Sequence, residues 1–72
     1  MTRLTLKAAR INAGYSQKTA AALLKISPYT LSNWERGIST PKANRIDSIC
    51  DLYKVTFDML IFLPNKSALS QF

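Results

Sequence analysis

The sequence has 72 residues, with ten Lys/Arg against four Asp/Glu, no histidine and a net charge of +6, enough for one small domain whose core is economical only if helices pack closely. Its 47% hydrophobic content excludes disorder by composition, the longest apolar run, residues 59–63, is too short to span a bilayer, and no apolar signal segment opens the chain, so a cytoplasmic location is expected. With Cys50 as the single cysteine, and no histidine or glycine-rich phosphate loop, a disulfide, a metal site, a cofactor, a small-molecule ligand and an enzymatic role are all unexpected.

A first helix is predicted over residues 5–13, with Leu6, Ala9 and Ala13 on one face and Gly14 ending it. Arg10 shares that inward face. A buried guanidinium needs a carboxylate, and Glu35 is the one acid before residue 47. The second helix, residues 17–24, is capped by Ser16 and carries Ala20, Ala21 and Ala22, small enough for another helix to approach closely. Ser27 and Pro28 supply a cap and then a proline at the first helical position. A third helix therefore runs over residues 28–36, and Gly37 stops it in the left-handed conformation. Leu31 and Trp34 point inward; Pro28, Tyr29, Ser32, Asn33 and Arg36 point out. Thr40 and Pro41 repeat the cap-and-proline signal and start a fourth helix, residues 41–53, whose buried stripe is Ala43, Ile46, Ile49, Cys50 and Tyr53. Thr56 caps a last helix, residues 57–62. Phe57 and Leu60 are expected to face the core, leaving Met59, Ile61 or Phe62 outside. A short polar tail, residues 64–72, carries Leu69 and Phe72, whose docking the sequence leaves open.

These positions, taken in register, resemble the Cro/C1-type (XRE) helix-turn-helix regulators of bacteria and phages. The residues that carry the resemblance are Leu6, Arg10, Gly14-Tyr15-Ser16-Gln17, Ala21, Leu24, Ile26-Ser27, Leu31, Trp34-Glu35-Arg36-Gly37, Pro41, Tyr53-Lys54-Val55-Thr56-Phe57-Asp58 and Leu60. The resemblance implies an all-α, five-helix, lambda-repressor-like domain over residues 1–63, with the helix-turn-helix formed by helices 2 and 3. It also implies an ion bridge between Arg10 and Glu35. Two departures stand out. Ala20 is smaller than the aliphatic residue usual there, which leaves core space for Tyr15, Trp34 and Phe57. Lys25 occupies a turn position that is usually glycine with positive φ, at a cost of about 1 kcal/mol.

Recognition helices of this class place their N-terminal residues against base edges in the major groove. Pro28, Tyr29 and Asn33 match the family's base-contacting positions, and Ser32 lies on the same face. Asn33 is expected to bond adenine N6 and N7 together. Gln17 matches the family's phosphate-binding glutamine at a helix N-terminus, and Lys18, Ser27, Arg36, Thr40, Lys42 and Arg45 are expected to flank the groove as further phosphate contacts. Charge agrees: residues 1–45 hold eight Lys/Arg against Glu35 alone, whereas residues 46–72 hold Lys54 and Lys66 against three aspartates. Phe57, Met59, Ile61 and Phe62 form the expected homodimer interface. The expected function is sequence-specific binding of double-stranded DNA, as a dimeric repressor occluding a promoter in a bacterial or phage-infected cell. The alternative is an antitoxin-like or regulatory module that uses the same fold to hold another protein. Seventy-two residues leave no room for a ligand-sensing or peptidase domain, so control is expected from concentration, a partner or a region outside this sequence.

Overall fold

The computed structural model describes residues 3–62. Its elements are β1 (Leu4–Thr5), α1 (Leu6–Asn12), α2 (Gln17–Leu24), α3 (Pro28–Glu35), α4 (Ala43–Tyr53), a 3-10 turn (Phe57–Met59) and β2 (Leu60–Ile61). The second and third helices start where their caps predict, and the first starts at Leu6 behind Thr5, a cap that was expected inside the helix. Thr5, Ser16 and Ser27 each take the extended conformation and accept a hydrogen bond from the backbone N–H three residues on. Pro28 occupies the first turn of α3, where its missing N–H costs nothing.

All four helices end in a residue with positive φ: Gly14 (88°), Lys25 (61°), Gly37 (77°) and Lys54 (60°). After α3 the reversal is fully bonded, with the Gly37 N–H donating to the Trp34 carbonyl and the Ile38 N–H to that of Asn33. Glycine adopts this conformation freely; the two lysines hold it against the clash of their Cβ with backbone.

The core is small and sits where α1, α2, α3 and α4 meet. Leu6, Ala9, Ala20, Ala21, Leu24, Leu31, Trp34, Ile49, Tyr53 and Leu60 form it, and Leu31 and Ile49 are its largest completely buried side chains. Ala20 and Ala21 have no exposed surface, so α2 lies close to its neighbours. Tyr15 fills space beside them, its ring 6.3 Å from that of Tyr53.

Five expectations are corrected. The fifth helix, predicted over residues 57–62, is a single 3-10 turn followed by β2, which pairs in parallel with β1 in the register Leu4–Leu60 and Thr5–Ile61. A short apolar run is compatible with either geometry; pairing with the start of the chain satisfies its backbone and seats Leu60 in the core. The Thr56 side chain makes no cap hydrogen bond, and Phe57, expected in the core, is 61% exposed. The fourth helix starts at Ala43 with Lys42 as an uncapped N-cap residue. Pro41 is buried ahead of that helix, and Ala43, expected in the stripe, is exposed because the first turn projects beyond the core. The expected tail, residues 64–72 with Leu69 and Phe72, lies outside the described residues. Among the described residues no helix is long and apolar enough to cross a membrane.

Candidate nucleic-acid interface

The α2–α3 unit is positioned by a buried polar cluster as well as by the apolar core. Glu35, at the end of α3, accepts from Arg10 of α1 through Nε at 2.7 Å and Nη2 at 3.3 Å, and from Gln17 Nε2 of α2 at 3.2 Å. Arg10 Nη1 also donates to the Tyr15 carbonyl at 2.9 Å. Both charged side chains are almost entirely removed from water. Coulomb attraction and four hydrogen bonds offset their desolvation and tie three helices to one point. Tyr53 adds a strained member. Its hydroxyl is buried without a hydrogen-bond partner among the described residues, and its pKa is pushed up to about 12, first by burial and then by the Glu35 charge, with Arg10 opposing.

With Leu31 and Trp34 buried beneath it, α3 has a determined outer face. Pro28 and Tyr29 are exposed, Tyr29 by 72%; Ser32 and Asn33 are half-buried on the same side. Arg36, also exposed, donates through Nη2 to Asn33 Oδ1 at 3.0 Å. Both residues are expected site residues. Their pairing was missed, although a spacing of three along one helix is the signal for it.

The expected phosphate-contacting residues fall into two groups. At the start of α2, Ser16 caps the Thr19 N–H and its carbonyl accepts from Ala20, which leaves the Gln17 and Lys18 N–H groups pointing from a positive helix end. The Lys18 side chain is exposed, whereas that of Gln17 is half-buried and bonded to Glu35. On the other side of α3, Thr40, Lys42 and Arg45 line one open cleft of about 430 Å³. Thr30 and Asn44 line it too and were not singled out in the sequence, since neither matches a family phosphate-contact position or a helix-start signal. Arg45 is partly engaged, donating to the Leu24 carbonyl at the end of α2 at 3.0 Å, where a cation complements the helix dipole. Ser27 is exposed, and its hydroxyl is paired with that of Thr30.

The expected dimer residues lie at the far end of the chain. Ile61 is 40% exposed, Met59 and Phe62 are half-buried, and the Phe57 and Phe62 rings lie 5.9 Å apart. Cys50 is half-buried and its thiol pKa is raised, by burial and then by Asp47 and Asp51, so the reactive thiolate is disfavoured. No group of three or more potential metal ligands occurs among the described residues.

Two short helices joined by a bonded left-handed turn, with the second carrying an open polar face flanked by cations, define a helix-turn-helix domain. The family model described as Helix-turn-helix matches residues 6–60. Over 56 residues the chain is 43% identical to the HTH-type transcriptional regulator ImmR of Bacillus subtilis (strain 168), an alignment covering 78% of this chain and 44% of that protein. The chain belongs to the Cro/C1-type (XRE) helix-turn-helix family of transcription regulators. It spans less than half the length of the relative it matches.

Proposed function

We propose that this protein is a cytoplasmic, sequence-specific DNA-binding repressor that recognises a short palindromic operator as a homodimer. The observation that carries this reading is the outer face of α3. It presents Tyr29, Ser32, Asn33 and Arg36 around Pro28 on the basic part of the chain, while Leu31 and Trp34 fix its orientation from below. Seated in a major groove, Pro28, Tyr29, Ser32 and Asn33 meet base edges. The N-terminus of α2 meets one phosphate strand through Gln17 and Lys18, and Ser27, Arg36, Thr40, Lys42 and Arg45 meet the backbone around it. Phe57, Met59, Ile61 and Phe62 hold the second subunit, and the two-fold axis sets half-sites about one helical turn apart.

A second reading is supported by the exposed Phe57 and Ile61: an antitoxin-like or regulatory module that holds another protein through this patch. Selection of random duplex DNA on the purified protein at about physiological salt, where non-specific contacts are weak, separates the two. The repressor reading expects a palindrome to be enriched, Asn33→Ala to relax one base position by roughly 1–3 kcal/mol, and Ile61→Asp to weaken binding by breaking the dimer. Recovery of no motif from folded protein rejects it in favour of the partner-holding reading.

A further inference from the structure

Resting on the DNA-binding reading, we propose that Arg36 sets the base preference of Asn33, so that the Asn33–Arg36 pair reads guanine rather than adenine. A guanidinium has donors only, so the carboxamide group facing Arg36 Nη2 at 3.0 Å is the oxygen, Oδ1. That orientation follows from chemistry. It turns Nδ2 with its two N–H groups away from Arg36, and Arg36 keeps further N–H groups beside it. The two residues stand three apart on the outer side of α3, so the pair presents adjacent donors to whatever lies in front of it.

Guanine offers two adjacent acceptors in the major groove, N7 and O6; adenine offers N7 beside the N6 amino donor. A free asparagine matches adenine by accepting from N6 and donating to N7. Here Arg36 takes one lone pair of the oxygen and sets its cationic N–H groups beside the other, so an adenine amino donor approaching that oxygen is disfavoured by the neighbouring donors. Guanine satisfies both donors. The adenine contact that the residue type alone suggests is thus replaced by its opposite, and Arg36 contributes specificity beyond phosphate neutralisation.

The test is the same selection, repeated with Asn33→Ala and Arg36→Ala, with circular dichroism to confirm folding; both side chains lie outside the core. The base pair whose discrimination disappears in Asn33→Ala is the one Asn33 contacts. At that pair the wild type is expected to favour guanine over adenine by about tenfold. Arg36→Ala is expected to reduce this to below about threefold, or to reverse it, because the freed oxygen again accepts from adenine. An adenine preference in the wild type overturns the proposal. So does an Arg36→Ala variant that weakens all sequences by one factor with the guanine-to-adenine ratio unchanged, the signature of a phosphate contact alone. Failure of any sequence to be enriched rejects DNA recognition itself, and the proposal with it, and is distinguishable from both results.

Discussion

Removing the Glu35 carboxylate should nearly unfold the domain. Glu35→Ala deletes three hydrogen bonds at 2.7, 3.3 and 3.2 Å and leaves the buried Arg10 guanidinium with the Tyr15 carbonyl as its remaining partner. Stranding one member of a buried pair costs about 3–5 kcal/mol, and a core of this size supplies roughly 3–5 kcal/mol in all. Urea titration followed by far-UV circular dichroism should therefore show a variant with little or no folded baseline. The double variant Arg10→Met/Glu35→Leu removes both charges and keeps apolar volume, and it is expected to return to within about 1–2 kcal/mol of wild type. Gln17→Ala should lose about 1.5 kcal/mol, the lower end for one hydrogen bond to a charged group, since this one is long and partly exposed. A Glu35→Ala variant that loses less than about 1 kcal/mol would place the pair among surface ion pairs and refute the reasoning.

Tyr53→Phe removes a buried hydroxyl that has no partner among the described residues and is expected to leave stability unchanged or raise it by about 1 kcal/mol; a loss above that in thermal melts would mean the hydroxyl is bonded. Because the folded Tyr53 pKa, about 12, lies above the ordinary value of 10.0, the folded state favours the neutral phenol. Stability is then complete well below pH 10 and falls as pH rises from 10 through 12. Urea midpoints across that window, in wild type and Tyr53→Phe, check the sign; equal alkaline losses in the two would reject it. Lys25→Gly should relieve the left-handed strain at φ 61° and raise stability by about 1 kcal/mol; an unchanged or lower melting temperature would refute the strain.

What could be read from the sequence was local. Ser16, Ser27, Pro28, Gly14 and Gly37 act on bonds within a few residues of themselves, so two helix starts and two helix ends followed from residue type. Arg10 and Glu35 are distant in sequence yet readable, because a buried cation needed an anion and the first forty-six residues held one. The strand at Leu60–Ile61 was not readable, since its partner stands at the opposite end of the chain and its apolar pattern suits a helix equally. Thr40 and Pro41 gave a false start for α4: Pro41 is buried before the helix, and packing of Ile49 and Tyr53, rather than a cap, holds the helix that follows. In the candidate site the face of α3 was legible from the spacing of Leu31 and Trp34. Hydrogen bonds that commit Asn33, Gln17 and Arg45 were not, because residue type gives a side chain's capacity to bond and only the fold gives its partner.

The β1–β2 ladder also determines how the domain bears a load. Its strands are parallel, so the chain enters at one end of the ladder and leaves at the other. Tension applied through the two flanking segments slides the strands past each other and strains their hydrogen bonds together, whereas antiparallel terminal strands would peel open one bond at a time. Two residues per strand make a short clasp, but its orientation is the resistant one. A pull transmitted along the polypeptide meets this clasp, seated against α1, before it reaches the helices that hold α3 in place.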